Sequence, residues 1–295
     1  MVVDVKGCIA VALALSIGLA GTFVCASEYR ASDVQKAVKD LSSRDEEIRH
    51  SAAYHLSEMG PEAKDAVPQL IEVLQSDPVI SIRAEAASAL GKIGAPASAA
   101  IPGLISFLKS KEGKYERTYA ASALGGIGKQ PELAVPALID ALQHDEEPVV
   151  KRLAAMALGS FGADARPAIP ALIEALNEGN KDLREAAAYG LRKIPAGASD
   201  VPALTKLLDD DIDIAREAAA RSIAGAGSEA VGAVPKLVAL LEDKNASVRE
   251  AAAGALGAIG PDAKEAVPAL KKALTDAEVH DEAADALEQI KKRRH

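Results

Sequence analysis

An arginine followed by paired alanines and a leucine returns every 31 to 34 residues along almost the whole chain. The first copies read Arg49-Ala52-Ala53-Leu56, Arg83-Ala86-Ala87-Leu90 and Arg117-Ala120-Ala121-Leu124. Lys151-Ala154-Ala155-Leu158, Arg184-Ala187-Ala188-Leu191, Arg216-Ala219-Ala220-Ile223 and Arg249-Ala252-Ala253-Leu256 follow, and His280-Ala283-Ala284-Leu287 closes the series. A fixed period in this range means a stack of supersecondary units, each too small to bury its apolar face alone.

Each unit reads as two helices. In the second full unit, Ile82, Ala86, Ala87, Leu90 and Ile93 form an apolar stripe at helical spacing. Gly94 ends that helix, and Pro102 opens the next at a position where its missing N–H leaves nothing unsatisfied. The same proline recurs at 68, 136, 170, 202, 235 and 268, each followed two residues later by Leu. The terminating glycine recurs at 60, 128, 162, 227 and 260, while the fifth unit has Pro195 and Gly197 and needs a different turn. The alanine pairs predict that neighbouring first helices touch there, since Ala is the smallest good helix former that keeps a methyl. An acidic residue six before the basic one (Asp77, Asp145, Asp210, Asp243) suggests a ladder of basic side chains reaching inter-repeat carboxylates and carbonyls. The alternative is solvated charge at helix starts.

The chain has 295 residues, 49% of them hydrophobic but only 3% aromatic and none of them Trp, which suits many thin layers of closely approaching helices. A net charge of −9 argues against a general phosphate-binding role, so no nucleic-acid partner is expected. Residues 1–26 differ from everything after them. Lys6 precedes an apolar run from Cys8 to Val24, and Val24-Cys25-Ala26 offers the small residues of a cleavage site. This reads as a secretory signal peptide, with an uncleaved anchor or lipidation at Cys25 as alternatives that would place the chain at a membrane. Residues 27–295 then form one domain, exported to the periplasm or secreted, without any cysteine.

The pattern D-x(4)-[IV]-R-x(2)-A-A-x(2)-L-G-x-[IL]-G followed by [AV]-[VI]-P-x-L resembles the HEAT-repeat family, in particular its short phycobilisome lyase-type repeats. The resemblance covers Asp33 to about Ile290 and implies an all-α, right-handed α-solenoid. Units are expected to start near residues 45, 77, 111, 145, 178, 210 and 243, with a second helix alone at 33–41 and a closing first helix at 276–292. That makes seven full repeats and two half-repeats, capped by polar residues at either end.

Sites for chemistry are sparse. No His-Glu dipeptide occurs, so the paired iron motifs of HEAT-like deoxyhypusine hydroxylases have nothing to carry over. Asp209, Asp211 and Asp213 alternate as in a calcium loop, but Ile214 and Ala220 stand where an EF-hand needs Gly and Glu. His55 occupies a slot that is Ala, Gly or Ser in every other unit, and with His50 and Tyr54 reads either as an adaptation near the end of the stack or as a ligand site. No catalytic residue, metal or cofactor is assigned.

The resemblance places the Pro-initiated second helices on a concave face. Their outward positions include Gln69, Glu72, Asp140, Gln143 and Glu174 in the first half, and Lys206, Lys236 and Lys272 in the second. This change of sign reads as a bipolar groove for a protein segment, or as merely solubilising charge. Phe107 could anchor a partner or fill the core. A second candidate is the basic, tyrosine-bearing edge of Lys109, Lys111, Lys114, Tyr115 and Tyr119. The expected function is non-catalytic protein binding by a monomeric scaffold or adaptor. The alternatives are a HEAT-like lyase or accessory subunit of an enzyme, and self-assembly through the ends.

Overall fold

The computed structural model describes residues 31–292. The signal-peptide reading and both cysteines lie outside them. Sixteen α-helices follow one another: α1 Ala31–Asp40, α2 Glu46–Met59, α3 Val67–Ser76, α4 Ile80–Ile93, α5 Ile101–Leu108, α6 Arg117–Ile127, α7 Pro131–His144 and α8 Pro148–Gly159. Then come α9 Ile169–Leu176, α10 Lys181–Lys193, α11 Val201–Leu207, α12 Asp213–Ala224, α13 Val234–Leu240, α14 Ala246–Ile259, α15 Val267–Ala273 and α16 His280–Lys291. Even-numbered helices are the first helices of their units and odd-numbered ones the second. The fold is an all-α solenoid with one continuous core running its length.

Local chemistry sets the helix ends. Asp45 accepts a hydrogen bond from the Glu47 amide, Asn180 from those of Asp182 and Leu183, and Asn245 from that of Ser247, so the first orphan donors are satisfied. Gly94 closes α4 at φ 77°, ψ −142°, dihedrals that a Cβ would forbid. A 3-10 turn then leads into the Pro-initiated second helix. Two units depart from this scheme. In α7 the turn is absorbed into a longer helix, after Gln130 at φ 50°. After α10 the hydroxyl of Ser222 donates to the Ile194 carbonyl and Asp200 receives the Gly197 amide, which builds the expected different turn around Pro195.

First helices meet almost backbone to backbone. A Cβ added to Gly91 would lie 2.7 Å from the Cα of Ala123, one added to Gly125 2.9 Å from that of Ala157, and one added to Gly257 3.0 Å from that of Ala286. The slot six residues after the basic position thus faces the preceding first helix, and the slot eight after faces the following one. His55 fits a slot held elsewhere by Ala, Gly or Ser because no first helix of the described chain precedes α2. Ile48 marks the same end: it is 43% exposed, whereas its counterparts Ile82, Val150 and Val248 are fully buried. At the other end Ala284 and Glu288 are exposed because nothing described follows α16.

The ladder exists, with a pairing that sequence spacing did not show. Arg216 donates to the carbonyl of Asp210, six residues before it, at 2.7 Å. Its guanidinium grips the carboxylate of Asp243 in the next unit at 2.8 and 3.0 Å. Arg49–Asp77 and Arg117–Asp145 repeat the grip at 2.7 and 2.8 Å, and Arg249 meets Asp276 at 2.8 Å through Nε while its Nη2 donates to Glu278 at 3.1 Å. These rungs are mostly buried, not exposed: the Arg216 and Asp243 side chains keep 10% and 8% of their surface.

Candidate partner-binding surface

On the second helices, Glu72, Asp140, Gln143, Glu174, Lys206 and Lys272 are exposed, and Gln69 and Lys236 are half-buried. Phe107 is corrected: it is 5% exposed, fills the core under the Arg83 guanidinium at 5.7 Å, and offers no anchor.

The two halves of this face differ in how their charges are met. Lys272 donates to Glu242 at 2.7 Å and holds that carboxyl below its ordinary range. Lys236 donates to the Thr205 carbonyl at 3.0 Å and pairs with Asp209. By contrast, no Lys or Arg among the described residues pairs with Glu72, Asp140 or Glu174. Asp140 meets only His144, 3.1 Å away on its own helix, and Glu174 receives a long 3.4 Å contact from Gln143. The sign change read from sequence is therefore one-sided, with its basic half largely neutralised within the stack.

The structure joins the two candidate regions. A cleft of about 440 Å³ opens between the 109–114 loop and α7, with Lys109, Lys111 and Lys114 facing Asp140, His144 and Glu146. Lys114 reaches Glu147 at 3.5 Å. Tyr115 and Tyr119 are exposed at 64% and 42%. Sequence reasoning missed His144, which ends α7 just past its outward positions, and Glu146, in the turn that follows it.

A further surface escaped notice. Tyr54, Met156 and Tyr189 are exposed on first helices, each five residues after the basic position of its unit, so a comparison of that slot would have found them. Arg192 lies 5.2 Å and Lys193 5.9 Å from the Tyr189 ring. The alternating aspartates, in contrast, serve the stack: Asp209 pairs with Lys236, and Asp213 accepts from Asn245 at 2.7 Å. Among the described residues, no three His, Cys, Asp or Glu side chains converge as metal ligands would.

The model of HEAT repeats matches residues 34–125, 101–192, 135–224 and 201–291. The chain belongs to the HEAT-repeat family. No curated protein matches its sequence. Among solved structures, YibA of Escherichia coli is 23% identical with a TM-score of 0.54, and the match covers 88% of this chain and 92% of YibA. Kap121p, in its complex with Pho4p, is 17% identical at a TM-score of 0.56, with 88% of this chain matched to 33% of that one. An engineered protein is 25% identical at a TM-score of 0.46, with 88% of each chain covered.

Proposed function

We propose that this chain is an exported, non-catalytic scaffold or adaptor that takes a protein partner along its second-helix face. The observation that carries this reading is the row Glu72, Asp140 and Glu174, exposed at one register and unpaired by any Lys or Arg among the described residues. Carboxylates left without internal cations on a rigid face suit a segment that brings its own, and they speed its encounter. A repeated second helix supports an extended partner because each unit offers the same positions one step further on. Export rests on the apolar run Cys8–Val24 and the small residues before Ser27.

The test is affinity capture on residues 27–295 beside a Glu72→Lys, Asp140→Lys, Glu174→Lys variant, with bound proteins identified by mass spectrometry. A protein retained by wild type and lost by the variant supports the face as the binding site. Equal captures refute it. Sequencing the amino terminus of the expressed full-length product tests export: Ser27 is expected, and a cytosolic product starting at Met1 or Val2 refutes it.

A further inference from the structure

At four junctions the carboxylate that completes the ladder has two holders. Asp77, Asp145, Asp243 and Asp276 are gripped by an arginine of the preceding unit. Each also accepts the backbone amide two residues on, at 2.9, 2.9, 2.8 and 3.0 Å. The junction of α4 and α6 keeps the arginine but not the acid. Arg83 is in register, and the slot that should hold Asp holds Lys111, two residues before Gly113. Arg83 spends Nη2 on Glu112 at 2.5 Å, a side chain that is 70% exposed. Its Nε is buried and donates to nothing among the described residues. Phe107 lies beneath the guanidinium, Gly113 has φ +67°, and Lys109 and Lys114 flank the loop.

We propose that this rung is completed in trans by a carboxylate of the partner, an Asp or Glu side chain received by the Arg83 fork and the Gly113 amide. The inference rests on the reading of the chain as a protein-binding scaffold and names the chemistry of one contact. Three junctions supply the template: the forks of Arg49, Arg117 and Arg216, at the same register, each take both oxygens of one carboxylate, while Arg249 divides its fork between Asp276 and Glu278. Lys111 replaces an internal acid with a cation, which turns a self-sufficient junction into one that attracts acid from outside. Glu112 is the internal competitor, and its exposure makes displacement cheap.

The experiment uses the full chain and a fluorescently labelled hexaglutamate peptide read by anisotropy, with hexaglutamine and inorganic phosphate as competitors. Hexaglutamate is expected to bind, and hexaglutamine and phosphate not to displace it. Glu112→Gln should tighten binding about threefold by removing the competitor. Arg83→Lys keeps the charge but loses the fork, and should weaken binding about tenfold. Lys111→Asp should weaken it at least as much while raising the thermal midpoint, so lost folding cannot explain that result. Lys109→Asp makes the same change of charge outside the slot and should have the smaller effect. Equal effects of Lys109→Asp and Lys111→Asp, or no effect of Arg83→Lys, would overturn the proposal in favour of diffuse attraction to the lysines. Displacement by phosphate but not by excess unlabelled hexaglutamate would overturn the choice of carboxylate. If hexaglutamate fails while capture still depends on Glu72, Asp140 and Glu174, this contact is wrong and the scaffold reading stands. If hexaglutamate binds as described and capture fails, the reverse holds.

Discussion

The junction of α12 and α14 and the junction of α4 and α6 are built from the same parts and end differently. At the first, Asp243 receives the Arg216 fork and the Asn245 amide, and α14 starts three residues before its basic position. At the second, Lys111 cannot receive either donor, and α6 starts only at Arg117 itself. The residues before it form separate turns, with Thr118 bonded back to Tyr115 and Tyr119 to Glu116. Glu116 also occupies a slot that is Ile82, Val150 or Val248 elsewhere, each fully buried. One carboxylate thus does two jobs, joining neighbouring units and pinning the start of the next first helix. Where it is absent, the exposed Arg83–Glu112 contact takes its place, and the core and the seam of small residues between α4 and α6 carry the junction.

Ala123 is where the seam is most directly tested. Its backbone abuts Gly91, so Ala123→His forces two helices apart and buries a polar ring, at about 4 kcal/mol. Urea denaturation should show it, with loss of protection from hydrogen exchange centred on α4 and α6, because contacts in a solenoid are nearest-neighbour. A loss below about 1 kcal/mol would mean the seam is not what holds this junction. The next largest effect is expected at the complete junction. Asp243→Ala leaves Arg216 mostly buried without its partner, costing about 3 kcal/mol localised to α12 and α14.

Acid sharpens the contrast without a mutation. Burial pushes the Asp243 carboxyl up, but the Arg216 guanidinium and the Asn245 amide outweigh it and hold it below its ordinary value. At Asp276 the Glu278 amide and then Arg249 lower it. A carboxyl depressed in the folded state contributes stability that is fully present above its unfolded value and lost as pH falls through the folded one. Stability of α12 to α16 should therefore be flat near neutrality and decline below about pH 4. Hydrogen exchange corrected for its intrinsic rate should show α4 and α6 declining less, since Lys111 has no carboxyl to protonate. Parallel decline at both junctions would contradict the comparison. In the other direction, Lys111→Asp should add about 1 kcal/mol by completing the rung.

The period, the alanine pairs, the terminating glycines and the initiating prolines made the solenoid and its helices legible, because each is a local requirement repeated in register. The ladder was half legible. Its carbonyl acceptors lie six residues before the basic position, or seven at Arg117, within reach of sequence spacing. Its carboxylates lie 27 or 28 residues away and are brought near only by stacking. The same limit governs the candidate surface. Helical spacing identified Lys236 and Lys272 as outward-pointing, but their partners Asp209 and Glu242 belong to the preceding unit. Phe107 was open between an anchor and core filling because its burial depends on Arg83, in another helix of the stack. His55 was open between a site and an end effect until the contact of Gly91 with Ala123 showed which way its slot faces.

The smallest effect is also the most discriminating. Lys111→Ala should change stability by no more than about 0.5 kcal/mol, because an exposed lysine with no ion pair among the described residues contributes little to the fold. Asp243→Ala, the same truncation at the equivalent slot, should change it several times more. If Lys111→Ala instead destabilised α4 and α6 by more than about 1 kcal/mol in urea denaturation, Lys111 would be a structural part of its junction. The difference between the two junctions would then be one of partner identity. A near-zero value means that one position carries stability in four junctions and is free of that duty in this one. A position released from folding in a repeat array is open to surface chemistry, and this one carries a cation next in sequence to Glu112, the exposed acceptor of Arg83.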